Sequence, residues 1–214
     1  MKTQLLALFL LSSFIIHAQT LEIDIQKEIK KKNVNIINRE VTIIKDKQYP
    51  GIHLDERYED GIVWLKNVTF TTGTIEFDTR GKDVKQHSFV GIAFHGTDTT
   101  TFESIYLRPF NFMETEDPKK SRMVQYVSKP SHTWQVLRGK FPGQYEGTIN
   151  PAPAADSWVH VRVVITETTI STYISNNPKA SLVVESLGAK TGSVGFYVAD
   201  TSGGDFANLR ISNR

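Results

Sequence analysis

The sequence predicts an all-β fold: two antiparallel sheets packed as a sandwich, with one long loop carrying a short helix. Three observations lead there. Short segments alternate apolar and polar residues with period two, Gly-, Asn- and Asp-rich turns separate them, and no helix-length periodicity runs through the strand-bearing region. Many short strands of this kind close as a sandwich or a barrel.

The first residues set the compartment. Met1 and Lys2 precede an apolar run at 5–16, broken only by Ser12 and Ser13 and ending before His17-Ala18. A basic start, an apolar stretch of 12 residues and a small residue at the cleavage position form a signal peptide at 1–18. The run is too short for an ordinary membrane span. The expectation is export to the periplasm or the extracellular space, with no membrane insertion after cleavage. Removing residues 1–18 leaves 196 of the 214, one domain at 19–214, and lowers the formal charge from +2 to +1. That balance carries no footprint for nucleic acid. With no cysteine, stability rests on apolar burial without disulfides. The run Lys27, Lys30, Lys31, Lys32, with Glu28 inside it, reads as a solvated face.

Strands follow in order. Residues 41–44, 51–54 and 61–65 are short candidates. At 74–80, Ile75 and Phe77 share one face, and Glu76, Asp78 and Arg80 the other. At 88–95, Val90, Ile92 and Phe94 line up, and at 104–109 Ile105 and Leu107 oppose Tyr106 and Arg108. Val159, Val161, Val163 and Ile165 share a face, and further strands fall at 169–175, 181–184, 193–199 and 206–211. Residues 128–157 break the rhythm with Pro130, Pro142, Pro151 and Pro153. Trp134, Leu137 and Phe141, spaced i, i+3, i+7, place a short helix at 133–141. This loop and the polar stretch 111–122 are expected at one edge of a sheet, and insertions this long commonly carry function.

The segments TGTIEFDTRGKDVKQHSFVGIAFH (72–95), ESIYLRPFN (103–111), VQYVSKP (124–130), W-x-x-LR (134–138), PGQYE (142–146), WVHVRVVI (158–165) and GDFANLRI (204–211) span nearly the whole mature chain. Together they resemble the concanavalin A-like lectin/glucanase superfamily, the LamG-like jelly rolls, and within it a group of secreted bacterial proteins of unknown function. The last third, with Trp158 opening a strand and Arg162 following, is also similar to the 3-keto-disaccharide hydrolase-like family. The resemblance implies a two-sheet antiparallel jelly roll with its ligand on the concave sheet and rim loops. It assigns no catalytic residue, and fold alone does not choose the activity.

Four constellations carry candidate chemistry. Glu76 and Asp78, two apart on a strand, point the same way about 7 Å apart, within the carboxylate spacing glycosidases use. The concanavalin-like glucanases place Glu-x-Asp-x-x-Glu on one strand, and the third position here is Gly81. The other reading of this pair is a solvated, mutually paired sheet face. His95, Tyr106 and Arg108, with Asn111, Arg122, Gln125 and Tyr126 near in sequence, form the densest polar and aromatic stretch. A guanidinium fork and a phenol recognise carboxylates or sugar hydroxyls. Alternatively, Arg108 is a structural ion pair with Glu103 or Glu146. Trp134 and Tyr145 offer rings for stacking on sugar C–H faces, or else pin the loop as a satellite core. The histidines lack zinc-ligand spacing. No cofactor is expected; a structural calcium with Asp200 or Asp205 as donors is compatible with the fold.

The function expected is an exported glycan-binding jelly roll with a carbohydrate ligand. The alternatives are a glycoside hydrolase-like enzyme with its acid/base drawn from Glu76, Asp78 or Glu103, oriented by His95 and Arg108, and a protein–protein or adhesion module.

Overall fold

The computed structural model describes residues 20–213, so the signal peptide expected at 1–18 lies outside the described residues. One sheet has eight strands. Its path runs β13 (Leu182–Glu185), β12 (Thr169–Ile174), β11 (Val159–Ile165), β6 (Gly73–Arg80), β15 (Gly204–Asn213), β4 (Gly51–Leu54) and β3 (Val41–Ile44), and β1 (Thr20–Ile23) also pairs with β15. The other has seven: β10 (Glu146–Gly147), β9 (Val124–Lys129), β8 (Phe102–Leu107), β7 (Val90–Gly96), β14 (Gly192–Val198), β5 (Gly61–Phe70) and β2 (Val34–Ile37). Every pairing between these strands is antiparallel. The chain is the two-sheet antiparallel jelly-roll sandwich that the alternation predicts.

The sheets share one core. Phe196 of β14 stacks on Phe206 of β15 across the sandwich at 4.8 Å and meets Phe77 of β6 edge-on at 6.2 Å. All three are buried, each stabilising the fold by about 1.5–3 kcal/mol relative to exposure. The basic run near the N-terminus lies on and around a one-and-a-half-turn helix, α1 (Ile25–Lys30). Asp24 caps it by accepting from Lys27 N–H at 3.0 Å, and Ile25 anchors it in the core.

The expected helix is present as α2 (Trp134–Lys140), capped by the Thr133 hydroxyl. Leu137 is its fully buried residue, while Trp134 and Phe141 stand 40% and 38% exposed, so the three do not form a closed satellite core. The segments 108–123 and 130–145 flank β9 and β10 at one edge of the seven-stranded sheet, where the two loops were expected.

The two sheets differ on their outer faces. In β6 and β11 buried and half-buried residues alternate strictly, as in a sheet with one wet face. In β7 and β8 every residue is buried. A second apolar cluster, Ile62, Trp64, Ala93, Phe102, Tyr106, Val127 and Tyr197, covers the outer face of the seven-stranded sheet.

Candidate binding groove on the seven-stranded sheet

A groove of about 620 Å³ opens on that outer face. Tyr106, Val127 and Tyr197 form its floor from three strands; alternation fixes this, since Ile105, Leu107 and Val198 face the core. The aromatic row continues sideways. Tyr106 lies 6.0 Å from Tyr197 and 5.8 Å from Phe89, and Phe89 meets Phe110 edge-on at 5.4 Å. The two polar loops supply the rest of the lining: Phe110, Asn111 and Arg122 from one, Trp134, Gln135 and Arg138 of α2 from the other, and Arg122 and Arg138 converge on one carboxylate. Lys129 and Asp60, an ion pair, also line it.

Beneath one wall sits an unusual charge arrangement. Glu146 of β10, 8% exposed, is met by three guanidiniums. Arg108 Nη1 lies 3.3 Å from Oε1, Arg122 Nε lies 3.4 Å from Oε2, and Arg138 Nε donates to both oxygens at 3.1 and 3.2 Å. Arg108, 5% exposed, is held further by neutral acceptors: Gln125 Oε1 at 2.8 Å, Arg122 O at 3.3 Å and the Tyr106 phenol at 3.4 Å. Its guanidinium carbon lies 5.3 Å from the Tyr106 ring centre. Gln125 is aimed by donating its amide to Tyr126 O and Tyr145 O at 2.8 and 2.9 Å. Asn111 donates to Arg122 O at 2.9 Å and fixes the loop. Arg138 lies over the Trp134 ring, 4.6 Å from its centre, as the i, i+4 spacing on α2 requires. Burial raises the pKa of both floor tyrosines, so their phenols stay protonated.

Of the predicted ligand-facing residues, the fold brings Tyr106, Arg108, Asn111, Arg122 and Trp134 to this groove, with Gln125 buried behind Arg108. Two go elsewhere. Tyr126 follows Gln125 on one strand and must face the opposite way; it is buried in the core against Tyr145, 5.6 Å between ring centres. Tyr145 is therefore core as well. His95 would face outward by alternation, but β7 and β14 slip register between Ser193 and Gly195, and His95 takes φ +52°. This β-bulge turns the ring inward. There His95 Nδ1 lies 2.6 Å from Glu103 Oε2, and Nε2 lies 2.8 Å from Thr71 O. The other Glu103 oxygen accepts from Tyr126 and from Ser186, at 2.9 Å from the latter, and the Tyr126 phenol accepts Leu187 N–H. Gly188 crosses so close that a Cβ there would sit 2.6 Å from Glu103 Cγ. Burial pushes the Glu103 carboxyl up, the hydrogen bonds from His95, Tyr126 and Ser186 pull it down, and the net shift is downward. This network ties a loop to the sheet interior and does not reach the groove.

Glu76 and Asp78 lie on the other sheet altogether. They share a face, as expected, but it is the outer face of β6. Asp78 faces His160 Nδ1 at 2.8 Å and accepts from Asn208 at 2.6 Å, and Glu76 lies 4.0 Å from Arg162. That is the paired-sheet-face reading. The calcium donors named from sequence are also engaged. Asp205 pairs with Arg80 at 2.6 Å and His53 at 2.7 Å, and Asp200 accepts Glu59 N–H at 2.8 Å. A guanidinium against Asp205 does not fit a divalent cation. Among the described residues no group of three or more His, Asp or Glu converges on a common point.

Sequence reasoning missed Phe89, Phe110, Tyr197 and Arg138. Arg138 was findable from its i, i+4 spacing to Trp134 on the expected helix. Tyr197 had no such signal, because only the pairing of β14 and β8 on either side of β7, both opposite Gly91, brings it beside Tyr106.

No protein-family model matches the sequence, and no curated protein matches it significantly. The fold is shared with solved structures. Carbohydrate-binding module CBM66 from Bacillus subtilis superposes with TM-score 0.61 at 12% identity, covering 84% of this chain and 96% of that one. A Bacillus subtilis protein of unknown function with a galectin-like fold gives TM-score 0.53 at 13% identity, covering 86% and 91%. The Ca2+-bound exoplasmic/lumenal domain of VIP36 gives 0.56 at 13%, covering 85% and 84%. The chain thus has the concanavalin A-like fold. Among the described residues no helix is long and apolar enough to cross a membrane.

Proposed function

We propose that this chain is an exported glycan-binding protein that takes its carbohydrate in the groove on the seven-stranded sheet. The observation that carries this reading is the groove itself: an aromatic floor, a half-open indole at Trp134 and fixed guanidinium donors on one face. Sugars offer C–H faces to rings and hydroxyls to forked donors, and both are present here at once. The likeness in fold to a carbohydrate-binding module, and to a VIP36 domain also solved in a Ca2+/Man3GlcNAc-bound form, supports it. The paired setting of Glu76 and Asp78, on the outer face of the other sheet, favours binding over hydrolysis.

The test is the mature chain titrated with a panel of soluble polysaccharides, read by melting temperature and by released reducing ends. A ligand raises the melting temperature by mass action. The expected result is a shift without new reducing ends, weakened about tenfold by Trp134→Ala, the worth of one stacking contact. Product release would make the chain an enzyme. A flat response across the panel would favour a protein partner.

A further inference from the structure

The charges around the groove are unbalanced. Six Lys or Arg side chains line it, against the two carboxylates Asp60 and Asp200. The imbalance is sharpest at Glu146, where one buried carboxylate faces three guanidiniums. Glu146 can neutralise one of them. Arg108 gives its remaining donors to neutral oxygens. Arg138 is committed to Glu146, which leaves Arg122 as the open member. Its side chain is 30% exposed on the groove wall, and among the described residues its Nη groups meet no acceptor. Lys119, at the rim on the same loop, is part-committed to Glu114 at 2.6 Å.

A neutral ligand would bury this surplus charge without an answering one. An anionic group would complete it, and a guanidinium fork matches a planar carboxylate or a sulfate with two parallel hydrogen bonds. A cleft lined by one sign of charge also concentrates oppositely charged ligands. From this geometry we infer that the preferred ligand is an acidic glycan, a sugar chain bearing carboxylate or sulfate groups, whose anionic substituent pairs with Arg122 beside the Glu146 cluster. The inference rests on the glycan-binding reading and narrows it. The part-exposed rings of Phe89, Phe110 and Trp134 take the sugar ring, and the arginines beside them read its charge.

The test uses matched pairs of short oligosaccharides on the mature chain: an oligouronate and its carboxyl-reduced form, and a sulfated oligosaccharide and its desulfated form. Calorimetry at low and raised salt supplies the affinities. In at least one pair the charged member is expected to bind tenfold or more tightly than its neutral counterpart, with the advantage shrinking as salt rises. The pair that shows it identifies the anion. Arg122→Gln should erase the preference. Arg162→Gln, on the outer face of the other sheet, should leave it intact and so excludes general attraction to the chain's positive charge. Equal binding within both pairs would overturn the acidic-ligand inference while leaving the glycan reading standing. Absence of binding by all four would overturn both. A preference that survives Arg122→Gln would also overturn the assignment.

Discussion

The outer faces of the two sheets solve the same problem in opposite ways. On the eight-stranded sheet, polar side chains alternate outward and pair with each other: Glu76 near Arg162, Asp78 with His160, Asp205 with Arg80. Each of these three acids has a basic or imidazole neighbour, and water reaches most of the six side chains. On the seven-stranded sheet, a cluster of aliphatic and aromatic residues is buried on the outward face, and the charges lining the groove there have cations in surplus. A face whose charges cancel has nothing left to offer a ligand. A face with buried rings and uncancelled cations does, and that difference separates scaffold from site more clearly than the presence of carboxylates.

Substitutions on the two faces can break that contrast. The largest effect is expected at Glu146. Glu146→Ala leaves three guanidiniums without their common carboxylate, and removing one partner of a buried pair costs about 3–5 kcal/mol. For a chain of this size the melting temperature should fall by on the order of 10 °C in a thermal scan. A drop of only a degree or two would mean that the arginines find other partners and that the cluster is not an anchor.

A middle-sized effect is expected between the sheets. Glu103 has its folded pKa below its unfolded one, so the unfolded chain takes up the proton first as pH falls. Its contribution is present in full above the ordinary glutamate range and is lost as pH drops through the lowered value. Melting temperature should therefore decline more steeply below about pH 4.5 in the parent than in Glu103→Gln, which starts from a lower melting temperature at neutral pH. Parallel curves would remove Glu103 from the acid response.

The smallest effect belongs to the outer face of β6. Glu76→Gln breaks only a half-exposed pair and should change stability by less than about 0.5 kcal/mol in denaturant unfolding. It should leave carbohydrate affinity untouched. A loss of binding or of product release there would move the site to the other sheet and reverse the comparison.

The legibility of the sequence follows the same division. Where one face is wet, period-two alternation reads directly, and residues 74–80 and 159–165 fall on β6 and β11 almost to the residue. Burial on both faces weakens the pattern unevenly: β7 and β8, wholly buried, still alternate legibly. β9, with Gln125 and Tyr126 both enclosed, gave no strand signal, and neither did the two-residue β10. Tyr106 and Arg108 were readable as a shared face because they lie on one strand. His95 was misplaced because a bulge is a property of two paired strands, and pairing is invisible along one chain. Glu146 could be named only as one of two partners for Arg108, since its distance in sequence says nothing of the loop that returns it.

Glu146 belongs to the shortest strand of the fold, at the border of its sheet, where Met123 N–H to Gly147 O and Tyr126 N–H to Tyr145 O hold the ladder at 2.9 and 3.0 Å. Borders of this kind open locally at lower free energy than sheet centres. When this one opens, the carboxylate leaves its three arginines and the wall of the groove comes apart. On the proposed reading, closure of the edge and occupancy of the groove are expected to be a single linked equilibrium. A ligand in the groove would favour the closed border in proportion to the logarithm of its saturation, so the amide protons of Met123 and Tyr126 are expected to exchange with solvent more slowly as ligand is added, while those at the centre of β6 keep their pace.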